Sequence, residues 1–139
     1  MQNNKLSTDD WVAISDLMGE YCWRVDGGDG DGWAALFTED GEFAGFTPEP
    51  LVGREQIRMI PINAYAAYGE GQMRHVVANL TCRYGATRDV VEAKLYNYVS
   101  VWGGRPEAGN FVMALCNTTF VRDGAGWLIK RNALQLLTP

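Results

Sequence analysis

The chain has 139 residues, 47% of them hydrophobic and 21% charged, and its 12 Lys+Arg against 17 Asp+Glu give a net charge of −5. That length is enough for one domain, residues 1–139, with a core that needs no metal or disulfide staples. There is no basic stripe for nucleic acid or an anionic membrane, and no apolar run of membrane length. With no apolar segment behind Met1-Gln2-Asn3-Asn4-Lys5, a cytoplasmic protein is expected.

Ser7 or Thr8 followed by Asp9 and Asp10 reads as a helix start, an N-cap with acids in the first turn. Trp11, Ile14, Leu17, Met18, Tyr21, Cys22 and Val25 then recur at helical spacing and form one apolar stripe. Gly27-Gly28-Asp29-Gly30 ends the helix, and Asp29 or Asp31 caps a short second one carrying Trp33, Leu36 and Phe37. Glu42 to Phe46 reads as a short strand and Thr47-Pro48-Glu49-Pro50 as a loop. A third helix opens after Gly53, with a kink or break expected near Ile60 because Pro61 sits inside its pattern.

From Met73 the period changes to two. Arg74 to Tyr84, Val90 to Trp102, Asn110 to Arg122 and Trp127 to Leu137 read as four long strands. Their separators, 85–89, 103–107 and 123–126, are hairpin-type turns, so sequential strands pair antiparallel. Helices followed by a meander predict an α+β fold with the helices on one face of the sheet. Five Trp, six Tyr and five Phe exceed what a minimal core needs, so some are expected to line a cavity.

Asp26 continues the buried stripe of the first helix, which aims a carboxylate toward the core or leaves it bonded to the glycine loop at a frayed end. His75, the single histidine, shares a strand face with Met73, Val77, Asn79 and Thr81. The opposite face carries Val76, Ala78, Leu80 and Cys82, so hydrophobicity does not say which face meets the helices. A carboxylate bonded to imidazole fixes its tautomer and leaves the second nitrogen to take a proton, as abstraction beside a carbonyl or β-elimination requires. Spacing alone does not bring the two together.

Tyr21-Cys22-Trp23-Arg24-Val25-Asp26, the run Gly28-Asp29-Gly30-Asp31-Gly32-Trp33-Ala34-Ala35-Leu36-Phe37-Thr38-Glu39-Asp40-Gly41, Gly53-Arg54-Glu55-Gln56-Ile57, Arg74-His75-Val76-Val77-Ala78-Asn79, Arg122-Asp123-Gly124 and Gly126-Trp127-Leu128-Ile129-Lys130-Arg131 together resemble SnoaL-like proteins. These belong to the nuclear transport factor 2-like superfamily, with scytalone dehydratase, hexachlorocyclohexane dehydrochlorinase, ketosteroid isomerase and polyketide cyclases. The resemblance implies a cone-shaped α+β barrel, its N-terminal helices packed on a curved, mostly antiparallel sheet, with the ligand at the open end. It also implies that Asp26 orients His75, the base, in a lyase or isomerase that uses no cofactor. The substrate class implied is small, hydrophobic and aromatic or polycyclic. The second pocket histidine of the scytalone dehydratase branch is missing here; Phe111 or Met113 lies near its place.

Further expected pocket residues are Tyr21, Trp23, Asn79, Asn97, Met113, Asn117 and Arg131. Asn97 and Asn117 interrupt apolar strand patterns, and Arg131 shares a face with Trp127 and Ile129. Arg122 reads as a solvated residue beside a turn. One histidine and scattered Cys22, Cys82 and Cys116 argue against a metal site and against disulfides; the thiols read as small buried hydrophobes. Tyr96, Tyr98 and Trp102 on one strand, with Val112, Ala114 and Phe120 on the next, suggest an apolar outer face and a homo-oligomer, dimer or trimer. The competing readings are a non-catalytic binding or assembly module of the same fold and a polyketide cyclase.

Overall fold

The computed structural model describes residues 3–102 and 110–138. Helix α1 (Thr8–Asp26) is capped by Ser7, whose hydroxyl accepts from the Asp10 N–H. It buries Ile14, Leu17, Met18, Tyr21 and Val25, the predicted stripe. After it come α2 (Gly30–Ala34), capped by Asp29, and β1 (Phe37–Ala44), which is longer and earlier than the strand expected. A two-residue β2 (Leu51–Val52) follows. The third helix is split into α3 (Arg54–Ile57) and α4 (Met59–Tyr68). The break falls at Arg58, three residues before Pro61, because proline cannot donate to the Ile57 carbonyl and crowds it. Then β3 (Met73–Tyr84), β4 (Val90–Val101), β5 (Asn110–Asp123) and β6 (Gly126–Leu136) form the meander. The predicted turn at 103–107 lies outside the described residues.

The six strands make one sheet in the order β2-β1-β6-β5-β4-β3. Every neighbouring pair is antiparallel except β1 with β6, which run parallel. The sheet is open, and the helices cover its concave face. None of the described helices is long and apolar enough to cross a membrane.

Two bulges set which side chains face inward. In β3 the register slips between Ala78 and Thr81, and Asn79 takes φ +57°. One extra residue there moves the inward set from Met73, His75 and Val77 to Cys82 and Tyr84. In β6 Phe120 opposes Ile129 but Thr119 opposes Arg131, so Lys130 is the extra residue. Beyond it Asn132 is buried and Arg131 is turned outward.

Gly45 ends β1 with φ +92°, and an added Cβ would sit 1.8 Å from the Leu134 carbonyl oxygen. At Gly28 (φ +71°) a Cβ would fall 2.7 Å from the Tyr65 ring, so the turn after α1 is glycine-rich because α4 packs onto it.

The N-terminal end of α1 is tied to the sheet through Asp10. Its carboxylate accepts from the Tyr84 hydroxyl, from Trp127 Nε1 at 3.2 Å and from Arg122 at 3.3 Å. Arg122 is therefore not a simply solvated residue: it also pairs with Asp89 at 2.8 Å and lies over the Trp127 ring. Burial raises the Asp10 pKa, but the bonds from Tyr84, Arg122 and Trp127 and the guanidinium charge outweigh it, leaving the pKa below its ordinary 3.8. A carboxyl depressed in this way stabilises the fold above its unfolded pKa and loses that contribution as pH falls through the folded value. Asp10→Asn is expected to cost about 1–3 kcal/mol at pH 7. In chemical denaturation across pH, the gap to wild type should close below about pH 4.

Candidate functional site

Asp26 is the last residue of α1, and His75 lies on β3, which is an edge strand. An edge strand turns alternate N–H groups away from its one partner, and here α1 takes them. Both Asp26 oxygens accept from the His75 backbone N–H at 3.0 Å, and Oδ1 also lies 2.7 Å from His75 Nδ1. One turn earlier on α1, Cys22 lies near Val77, two residues along β3, whose backbone N–H acts to lower the thiol pKa. Residues i and i+4 of the helix thus meet residues i and i+2 of the strand. The grip holds both the backbone and the ring of His75, which leaves Nε2 as the nitrogen able to take a proton. Both side chains are largely enclosed, His75 at 12% exposure and Asp26 at 9%.

His75 lines a cavity of about 130 Å³ between the helices and the inner face of the sheet. Tyr21, Val25, Trp33, Phe43, Met73, Asn97, Val99, Ala114 and Leu134 are among the other lining residues, and the half-exposed Phe46 stands at its rim. Burial raises the Tyr21 pKa well above 10, so its phenol stays protonated; the hydroxyl accepts from Asn132 Nδ2 at 3.1 Å. Asn132 in turn accepts from Thr118 at 2.9 Å, a buried polar chain behind the cavity wall. An open groove between α1 and β3 reaches the dyad from the other side, past Cys22, Trp23 and Arg74.

Of the nine residues expected at the site, Asp26, His75, Tyr21 and Asn97 come together here. The other five do not line the cavity. Trp23 is 73% exposed on the outer groove, because it sits just off the buried stripe of α1. Asn79 forms the β3 bulge and is exposed. Met113 and Asn117 are on the outer face of β5, where the alternate residues Ala114, Cys116 and Thr118 point inward. Arg131 is flipped outward by the β6 bulge and pairs with Glu42 at 3.2 Å. Val112, Ala114 and Phe120, expected on the outer face, belong to the inner one: two line the cavity and Phe120 is fully buried. Trp33 and Asn132 were missed. Trp33 was placed only as an apolar residue of the short second helix, and Asn132 becomes an inward position only once the bulge at Lys130 is known.

A SnoaL-like domain model matches residues 7–132, and the chain belongs to the SnoaL-like domain family. Curated protein sequences offer no match. Among solved structures, a Novosphingobium aromaticivorans protein proposed to be an aromatic ring hydroxylase is 27% identical, with a TM-score of 0.80 over 97% of this chain and 94% of that one. A protein of the same organism proposed to be a scytalone dehydratase is 18% identical, with a TM-score of 0.80 over 92% of this chain and 84% of its own. ActVI-ORFA from Streptomyces coelicolor is 22% identical, with a TM-score of 0.78 over 91% of this chain and 97% of its own. At that identity the last two speak for the fold alone.

The cysteines are chemically quiet. Burial pushes the Cys22 thiol up to about 12, with the Asp26 charge adding to the effect, and burial pushes Cys116 to about 12 and Cys82 to about 11. Thiolate is the reactive form, so native protein at pH 8 should react with a disulfide reagent about 10²–10³-fold more slowly than free cysteine, and denatured protein at the ordinary rate. A fast-reacting native thiol would contradict this.

Proposed function

We propose that this protein is a cofactor-free lyase or isomerase acting on a small hydrophobic substrate, with His75 as general base and Asp26 as the group that positions it. The observation that carries the reading is the 2.7 Å contact between Asp26 and His75 Nδ1, with His75 in the wall of an apolar cavity. Nδ1–H donates to the carboxylate, so Nε2 keeps its lone pair and faces chemistry as a base; the carboxylate then stabilises the imidazolium that forms.

The step begins when Nε2 takes a proton from a carbon beside a carbonyl or beside a leaving group. In elimination the C–H electron pair becomes the new double bond, and the leaving group departs with its own pair. In isomerisation the pair moves into an enolate, and the imidazolium returns the proton to another carbon. His75 can serve both halves of the transfer, since the imidazolium it forms holds the proton to be returned. The Tyr21 phenol, kept neutral by burial, is one lining group able to steady negative charge on substrate oxygen. Aldol-type ring closure, the polyketide cyclase alternative, would start from the same proton abstraction.

A thermal-shift panel of aromatic and steroid-like ketones and alcohols finds binders by mass action, and exchange of their α-protons in D₂O then reads the base directly. His75→Ala and Asp26→Asn should fold and lose exchange or turnover by about 10²–10⁴-fold. Near-wild-type rates in both variants would leave a binding or assembly module.

We also propose a homo-oligomer formed through the outer sheet face. Tyr96 and Trp102 are exposed there, and Tyr98 stacks on Phe111 at 5.3 Å. Sedimentation should give a dimer or trimer mass that Tyr96→Glu lowers; a monomeric wild type would refute it.

A further inference from the structure

Asn97 is 3% exposed, lines the cavity beside His75, and its Oδ1 has no hydrogen-bond partner among the described residues. Buried amides are nearly always paired, so an unpaired Oδ1 on a residue of the cavity wall calls for an explanation. The Trp33 indole N–H, on the same lining, is likewise buried and unpaired. Two residues of a mostly apolar cavity wall thus carry a buried polar atom with no hydrogen-bond partner among the described residues.

Their placement relative to the dyad is set by the sheet. Across β3 and β4, His75 opposes Val99 and Val77 opposes Asn97, and both Val99 and Asn97 face inward. Asn97 is thus the diagonal neighbour of His75 on one face, a separation of about 7–8 Å between backbone positions. The cavity of about 130 Å³ is close in size to the apolar cavity of roughly 150 Å³ that holds one benzene.

We propose that Asn97 is the polar subsite of this cavity, binding a hydroxyl or carbonyl oxygen carried on a single ring whose neighbouring carbon is presented to His75. The proposal rests on the reading of His75 as base only for what happens next; the recognition itself is a binding property. An amide suits either oxygen, since it accepts from a hydroxyl through Oδ1 and donates to a carbonyl through Nδ2. The substrate class narrows accordingly, from aromatic or polycyclic to monocyclic and oxygenated.

Phenol and toluene have nearly the same shape and differ in the hydroxyl, so they are the probes. Calorimetric titration of wild type should show phenol at least about tenfold tighter than toluene, because the toluene complex leaves the amide unpaired. Asn97→Leu should abolish or reverse that preference while raising Tm, since the unpaired polar group is gone. Met113→Ala, on the outer face of β5, should keep the preference. The inference is overturned if Asn97→Leu retains the preference, if Met113→Ala loses it, or if wild type binds neither probe. A lowered Tm with unchanged preference would make Asn97 a structural amide and also overturn it. Should Asn97→Leu not fold, wild-type crystals soaked in phenol decide: the hydroxyl within hydrogen-bond distance of the Asn97 amide supports the subsite, and any other position refutes it. Because these readouts are binding alone, they stand or fall apart from the turnover of the His75 variant.

Discussion

The Asp26 carboxylate holds the end of α1 against the free edge of the sheet through one residue of β3, gripping its backbone N–H and its ring together. Much of the molecule depends on that contact. It covers part of an edge that would otherwise offer unpaired N–H groups to another chain. It sets the distance between helix and sheet, and so the depth of the cavity behind it. It also converts an ordinary strand histidine into one with a chosen tautomer.

The other end of α1 is fastened by a different device, the convergence of Tyr84, Trp127 and Arg122 on Asp10. With both ends pinned to the sheet, the C-terminal half of the helix supplies Tyr21 and Val25 to the cavity wall. Tyr21 spans two environments: its ring packs 5.1 Å from Trp33, while its hydroxyl meets the buried Asn132–Thr118 pair. The cavity is therefore bounded by a satisfied polar chain behind Tyr21 and an unsatisfied amide at Asn97.

Two single-residue bulges decide more of the site than any long-range pattern. The bulge at Asn79 lets His75 face the cavity while Cys82 and Tyr84, further along β3, still face the core. The bulge at Lys130 exchanges Arg131 for Asn132 on the inner face of β6. Each sends every side chain beyond it to the opposite face, because the side-chain period of a strand is two. Asn79 and Arg131, both expected in the pocket, were displaced by this mechanism.

The sequence by itself determined the helix stripe, the glycine-rich end of α1, the break near Pro61, the meander and its turns within the described residues, because capping, helical period and strand period are local properties. The interrupted apolar pattern of β4 also marked Asn97, while the pairing of Asp26 with His75 was expected only from the family resemblance. Only the tertiary structure brought Asp26 to His75, since 49 residues separate them and nothing local encodes that approach. Only it chose between the two equally apolar faces of β5, putting Ala114 in the cavity and Met113 outside. The parallel pairing of β1 with β6 was likewise invisible, because strand partners far apart in the chain are selected by the packed core.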